Sequence, residues 1–508
     1  MDFRQGVGLF GIVLAAIAAQ LNDAVLNTAL PDVGGALDIG TDLTSWLRTL
    51  FITGEVIGMC SSPSLGLGFT FRRFALFAIG MDTVPTLLMM FGSGSLPILP
   101  LRFLQGLGAG FTIPLVLTIG LRSLGPDVRL YGLCVYAITA TLTPNLAATF
   151  AALWIDVVGD WRFLFLQVIP FATLATVFVW WGVPQQPPQS ERLRHFDWPA
   201  VVLVAIGFGS LSIVVEQGER LDWYNSPLIC VLLLVAAIAI PLLVVRERHA
   251  QVPLMRFDLF KRRNFLYPSI TLILFSVISL AASAVPLMFL QVVHGYRPLQ
   301  AQILTLEVAA SQLVLLPLTA WILDHERIDA RWISALGYGC ILTACIGCAL
   351  LNAAWVRDQF YLWQAFFSVG FAFVVMPLLM IATNSLKPED GPFGSALVNT
   401  PRAIAEGLGV WVLGLIARWR GGLHENQIVD LIGQNSLFLG QVGPLPQAGS
   451  PGANEAYRAL GAEVQRQVVT LTTIDSYIVM GMLTIFLMIV LALVPVRTPP
   501  PRIALRQP

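Results

Sequence analysis

Fourteen apolar stretches of about 20 residues follow one another along this chain, separated by short polar connections. A helix rises ~1.5 Å per residue, so ~20 residues cross the ~30 Å hydrocarbon layer of a bilayer. The expected spans are 7–29, 45–66, 74–93, 98–120, 131–153, 163–182, 198–216, 227–245, 266–291, 301–323, 332–351, 360–383, 395–417 and 474–495. Only 12% of the residues are charged, against roughly 25% in soluble domains, too few to cover a globule of 508 residues. Lipid must solvate the surplus apolar surface, which makes this an all-α polytopic membrane protein. Net charge is zero and no basic run carries interleaved aromatics, so nothing points to nucleic acid.

Charge placement orients the spans. With Arg4 on the cytoplasmic side, the even-numbered connections face the cytoplasm. They hold Arg72 and Arg73, Arg122 and Arg129, Arg192 and Arg194, the cluster from Arg246 to Arg263, Arg327 and Arg331, and Lys387. The odd connections hold Arg162, Arg220, Arg297 and Arg357, with four more in the long last one. Cytoplasmic loops carry the excess of Lys and Arg, so both termini are expected inside. The N-terminus, MDFRQG before a long apolar run, reads as a retained first membrane helix.

Two sets of six spans with an extra pair between them fit a repeated transporter architecture. The expected division is 1–182 for a first six-helix bundle, 183–197 for a cytoplasmic linker, and 198–245 for two extra helices. Residues 246–265 form a basic connection and 266–496 a second six-helix bundle, with 497–508 as a cytoplasmic tail. Within the connection, RFDLFKRRNF suggests a short helix on the anionic inner leaflet. Residues 418–473 form the one sizeable outer segment. Its middle, GPLPQAGSPGANEA, is turn-rich, and EAYRALGAEVQRQVVTLTTID reads as a helix entering the last span.

Charged residues inside the spans must face protein or water, because an ionised side chain at the bilayer centre costs ~2.5–3.5 kcal/mol or more. They are Asp23, Arg48, Glu55, Asp82, Arg102, Glu307, Arg402 and Glu406. Asp23 and Asn27, four apart, share a helix face, and Pro31 closes that helix on the outer side. Arg102 stands at comparable depth in the fourth span, so the two charges can pair. Asp23 then reads either as half of a structural ion pair, as a carboxylate that takes up and releases protons, or as a solvated vestibule residue. Glu55 and Glu307, lone acids in apolar helices, are expected to line a cavity. Arg402 and Glu406 form a local pair or a second polar cluster. Gly106, Gly108 and Gly110 let another helix approach closely, and Pro144 frees a backbone carbonyl for a kink. The six cysteines, Cys60, Cys134, Cys230, Cys340, Cys345 and Cys348, read as small buried hydrophobes and not as metal ligands. No Ser-His-Asp set, HExxH or Walker motif appears, which argues against an enzyme or an ATP-driven pump.

Together these residues resemble the fourteen-helix drug/proton antiporters of the major facilitator superfamily, the EmrB/QacA type. LNDAVLNTALPDV resembles the first-helix signature at Asp23, Asn27, Ala29, Leu30 and Pro31. RFLQGLGAG resembles the fourth-helix motif at Arg102, Gln105, Gly106, Gly108 and Gly110. DWRFLF resembles the opening of the sixth helix, and LFKRRNF and NTPRAIAEGLG resemble other segments of the branch. Two motifs depart from the family. SPSLGLGFTFRRF keeps Gly66, Gly68, Arg72 and Arg73 but lacks the usual Asp, and Thr143-Pro144 is followed by Ala147-Ala148 where glycines are usual.

The resemblance implies a major facilitator fold in the bacterial inner membrane, with two six-helix bundles around a midplane cavity. It further implies proton-coupled export of amphipathic drugs or toxic small molecules by alternating access, with no cofactor beyond the proton gradient. Asp23 and Arg102 would couple the proton. Asn27, Glu55, Gln105, Glu307, Arg402 and Glu406 would be candidates for the substrate cavity. Pro31, Gly106, Gly108, Gly110, Pro144, Arg72 and Arg73 would be structural. VQRQVVTLTTID resembles the last outer loop of members that pair with a periplasmic adaptor (membrane-fusion) protein, which would dock through 421–472. Export of an endogenous metabolite such as a siderophore, or a transport-inactive sensor or scaffold, are the alternative readings.

Overall fold

The structure, a computed structural model, describes residues 3–91, 95–185, 194–325, 327–387, 389–434 and 453–501. The described residues are mostly helical, with no strand among them. Helix α1 (Phe3–Thr28) stops just before Pro31, and α2 (Leu30–Ala36) begins with that proline in its first turn, where a missing N–H breaks no helix bond. The first bundle continues with α3 (Thr41–Phe69), α4 (Phe71–Met89), α5 (Ser95–Ser123), α6 (Arg129–Ala152), α7 (Phe163–Leu166) and α8 (Val168–Gly182). A hairpin of α9 (Trp198–Gln217) and α10 (Pro227–His249) follows. The rest comprises α11 (Arg263–Ile278), α12 (Ala284–His294), α13 (Pro298–Ala301), α14 (Ile303–Leu323), α15 (Ala330–Cys348), α16 (Tyr361–Asn384), α17 (Gly391–Gln434) and α18 (Ala453–Leu493).

Thirteen helical segments among the described residues are long and apolar enough to cross a membrane. The remaining expected span, 74–93, is helix α4, which opens on Arg72 and Arg73 and carries Asp82 at its middle. Those three charges keep it out of the thirteen, yet it packs along α5 and α8 as a member of the bundle. Helix α3 also runs further than expected. The stretch SPSLGLGF is helical, and Thr70 alone joins α3 to α4, at a φ of +85°.

The glycines of α5 explain how α3, α4 and α5 pack so closely. A Cβ on Gly106 would run into the Phe51 backbone, one on Gly110 into the Glu55 backbone, and one on Gly108 into Met81 and Asp82. Nine helices carry interior prolines, Pro114, Pro144 and Pro401 among them; packing against neighbouring helices satisfies the backbone groups that these residues release. The ninth expected span, 266–291, is discontinuous. Helix α11 gives way to a 3₁₀ turn at Ser279–Ala281 before α12 begins.

The α9–α10 hairpin is anchored at both ends. Asp197 caps α9 by accepting from the Ala200 N–H at 3.1 Å, and it pairs with Arg246 of α10 at 2.8 Å. At the other end, Gln217 donates to Thr49 of α3, and Arg220 pairs with Asp42 at 2.8 Å. Across the same turn, Arg418 of α17 pairs with Glu219 at 2.8 Å and Asp222 at 2.9 Å, and Trp223 packs on Trp411. The extra pair therefore ties α3 to α17.

The basic connection differs from expectation. RFDLFKRRNF forms a 3₁₀ turn at Phe257–Lys261 and then enters α11, in place of a separate surface helix. Two of its four cations are held by protein: Asp390 takes Arg256 at 2.6 Å and Arg262 at 3.2 Å. Hydrogen bonds from Arg256 also hold the Asp258 carboxyl below its usual range. In the outer segment, α17 has 44 residues and α18 has 41, which at ~1.5 Å per residue is about twice the hydrocarbon thickness. Asp475 of α18 holds them together, bonding Arg420 at 2.7 Å and His424 at 2.8 Å. The helix expected at EAYRALGAEVQRQVVTLTTID is the first half of α18, whereas most of GPLPQAGSPGANEA, part of the 183–197 linker (186–193) and part of the tail (502–508) lie outside the described residues.

Candidate functional site: a charged cavity between the two halves

The two halves enclose a cavity of about 360 Å³ lined by α1, α3, α6, α11, α12, α16 and α17. Toward the end that carries the termini it is sealed. Ser395 donates to the Pro114 carbonyl at 3.0 Å, Tyr136 donates to Asn399 at 2.6 Å, and residues 391–400 are all buried. In the opposite direction two lining residues reach open space: the Glu406 side chain is 44% exposed and Val410 is 47% exposed. The cavity opens at the end away from the termini.

Asp23 occupies the wall on α1. Alanines at 15, 16, 18 and 19 are buried one to two turns earlier and let α1 sit close to its neighbours. One oxygen of Asp23 accepts from Asn27 Nδ2 at 2.8 Å, the i to i+4 contact expected of a shared face. The other meets Arg102 Nη2 at 3.1 Å. The Arg102 side chain is completely buried. Its Nε donates to the Leu47 carbonyl at 3.2 Å, Nη1 donates to Gln105, and the guanidinium lies 4.4 Å over the Phe51 ring. The close approach at Gly106 places Leu47 and Phe51 at those distances. Asp23 keeps 16% of its side chain accessible, so the carboxylate stands between a fixed buried cation and the cavity. A guanidinium does not deprotonate in proteins. A carboxylate in contact with one and with water can exist in two charge states while its partner has only one.

Three further acids and two further cations surround the cavity. Arg402 pairs with Glu406 at 3.5 Å, and Arg48 pairs with Glu216 at 3.2 Å. Glu55 lines the cavity and makes no ion pair among the described residues. Ser276, Ser279 and Ser283 bring hydroxyls from the break between α11 and α12, and discontinuous helices recur at transporter binding sites.

Of the candidates read from sequence, Asp23, Asn27, Glu55, Arg402 and Glu406 line this cavity, as does Pro144. Arg102 and Gln105 stand behind its wall, both fully buried, so Gln105 is a partner of Arg102 and not a lining residue. Glu307 is misplaced by the sequence argument. It sits one turn into α14, half-buried, and is not among the lining residues. Its Oε2 is nevertheless buried without a hydrogen-bond partner among the described residues, so protein packing away from this cavity shelters the carboxylate. Arg72 packs its guanidinium 4.5 Å over Trp180, and Arg73 is exposed. Sequence reasoning missed Glu216, whose signal was present as a lone acid ending the apolar run SLSIVVEQ. It also missed Tyr136 and Asn399, which carry no charge to mark them.

The sequence pattern of the Major Facilitator Superfamily matches residues 12–410. The multidrug export protein EmrB of Escherichia coli (strain K12) is 25% identical over 431 residues, covering 82% of this chain and 81% of that protein. The fatty acid resistance protein FarB of Neisseria gonorrhoeae is 24% identical over 435 residues, covering 84% and 83%. Among solved structures, a POT family transporter superposes with a TM-score of 0.60 at 13% identity, covering 96% of this chain and 95% of that one. The human organic anion transporter MFSD10 gives 0.57 at 12% identity, covering 95% and 100%. Both show the shared fold. The helices and the relatives make this a multi-pass transporter of the bacterial inner membrane and not an enzyme, since outer-membrane spanning proteins are built as β-barrels. A cavity between two helical halves, a match across most of the chain and relatives aligned over four-fifths of their length lead to one conclusion: the chain belongs to the Major Facilitator Superfamily.

Proposed function

We propose that this transporter exports amphipathic small molecules, cationic or neutral, in exchange for protons by alternating access. One observation carries the reading: the Asp23 carboxylate faces both the cavity and the buried Arg102. Protonating Asp23 from the cavity removes one half of the pair and weakens the tie between α1 and α5, and ionising it restores both. The unpaired Glu55 supplies the negative site for a cation, the apolar wall of Phe51, Phe275 and Phe371 accommodates a hydrophobic body, and the buried, unpartnered Asn27 Oδ1 offers an acceptor. EmrB is named for multidrug export, which agrees with a site built from carboxylates and aromatic surface. With the Arg-rich end in the cytoplasm and α4 as the fourteenth crossing, both termini lie inside and the cavity faces outward.

The test is ethidium efflux from proteoliposomes driven by an imposed pH gradient. Coupled efflux is expected for the natural chain and absent for Asp23→Asn, with downhill exchange retained. Unaltered coupling in Asp23→Asn rules out Asp23 as the proton carrier, and no transport of any compound by the natural chain favours the scaffold reading. We further propose that the projecting parts of α17 and α18 dock a periplasmic adaptor. Deleting 421–472 should then abolish co-purification of the adaptor and leave proteoliposome transport intact; loss of folding would make the segment structural.

A further inference from the structure

Behind the Asp23–Arg102 pair lies a second carboxylate that the proposed cycle does not use. Asp82, on α4, is 3% exposed, and its Oδ1 is buried without a hydrogen-bond partner among the described residues. A row of hydrogen bonds runs from Arg102 to the backbone of Asp82, and Asn22 links that row to its carboxyl. Arg102 donates to Gln105, Gln105 Nε2 donates to Thr86 Oγ1 at 2.8 Å, and Thr86, one turn along α4, donates to the Asp82 carbonyl at 2.5 Å. Asn22 of α1 donates to the same Thr86 hydroxyl at 3.2 Å and touches the Asp82 carboxyl as well. Asp82 is held on its backbone side by Gly108, where a Cβ would collide. Three helices thus place a buried acid, with a free oxygen, at the end of a hydrogen-bonded row that starts at a buried cation.

The charges around Asp82 are few. From α5 comes Arg102; α1 brings Asn22 and, next to it, Asp23; α3 carries Arg48 and Glu55, both on the cavity. Neither α7 (FLFL) nor α8 (VIPFATLATVFVWWG) has a charged residue. Arg102 interacts electrostatically first with Asp23, then with Asp82, then with Glu55.

A buried guanidinium that loses its counterion is strongly destabilising, because an uncompensated charge is left out of water. Alternating access through Asp23 creates that situation in every cycle, because protonated Asp23 no longer compensates Arg102. We propose that Asp82 is the standby counterion of Arg102, a positioning residue that keeps the buried guanidinium compensated while Asp23 carries a proton. The inference rests on the reading of Asp23 as the proton carrier, but its test does not. Gln105 and Thr86 hold the two acids at opposite ends of one polar row, so the cation keeps an ionised carboxylate in either state without moving far.

The experiment is a double-mutant cycle read by thermal unfolding of the detergent-purified, ligand-free full chain. Asp23→Asn and Asp82→Asn each leave Arg102 one of the two acids on its polar row, whereas the double variant leaves it only the more weakly interacting Glu55. The loss of Tm in the double variant should exceed the sum of the two single losses, and adding Arg102→Gln should recover part of it. Where the double variant does not accumulate folded, its monodisperse fraction replaces Tm, and recovery by Arg102→Gln is read in the same way. Losses that merely add, or a triple variant no more stable than the double, overturn the proposal. Coupled ethidium efflux surviving in Asp23→Asn while the cycle stays non-additive would refute the proton-carrier reading alone.

Discussion

Replacing Gly106 with alanine tests whether backbone contact between α3 and α5 builds the site. The added methyl would sit 2.8 Å from the Phe51 carbonyl carbon and 3.0 Å from its Cα, and closer still to the carbonyl oxygen. Carbon pairs are optimal at ~3.5–4.0 Å, so α3 has to retreat by about 0.7 Å to clear the carbonyl carbon and further to clear the oxygen. All three clashing atoms are backbone, which no rotamer change relieves. Overpacking of this kind costs ~1–3 kcal/mol, and the shift acts directly on the site because Leu47 and Phe51 both touch Arg102. Gly120 provides an internal control on the same helix, since nothing lies within 4 Å of its Cβ position. Alanine there should be neutral or stabilise by up to ~1 kcal/mol through helix propensity. Thermal unfolding of the purified chain should rank Gly120→Ala at or above the natural protein and Gly106→Ala several degrees below it, with weaker coupled transport. Equal stability of the two variants would refute the close-approach argument.

Three other expectations follow from the same geometry. Glu216→Gln leaves Arg48 without its partner; Arg48 retains 23% exposure toward the cavity, so the cost falls below that of a fully buried pair, at ~1–2 kcal/mol, and Arg48→Gln in the same chain should recover it in Tm. Thr70 holds a φ of +85° and a ψ of 142°, a region nearly reserved for glycine, so Thr70→Gly should raise stability by ~1 kcal/mol; a lower Tm would mean that the Thr70 side chain packs well enough to offset the strain. Arg418→Ala cuts two ion pairs to the α9–α10 turn, and spin-label distances between α3 and α17 at the outer end should broaden in the variant, whereas an unchanged distribution would show that the hairpin does not tie the halves together.

Much of this architecture is legible in the sequence because a bilayer imposes simple rules. Apolar length marks the spans, and local spacing marks the Asp23–Asn27 and Arg402–Glu406 contacts, which are fixed by helical geometry alone. The Asp23–Arg102 pair spans 79 positions, yet equal depth and the cost of a lone charge were enough to suggest it. What the sequence hides depends on rotation about helix axes. Glu55 and Glu307 look alike as letters, but one faces the cavity and the other lies near a helix end. Glu216 belongs to a helix of the extra pair, and nothing local to it reveals that α9 lies against α3. Asp82 was visible as a buried charge, but its link to Arg102 exists only once α4 and α5 meet over Gly108.

Proton release on substrate binding tests the central claim most directly. In weakly buffered detergent solution, adding tetraphenylphosphonium to the purified chain should release protons in step with the cation bound, and Asp23→Asn should bind the cation without releasing any. Release that persists undiminished in Asp23→Asn, or binding by the natural chain with no proton released at any pH, would contradict the assignment of Asp23 as the coupling residue.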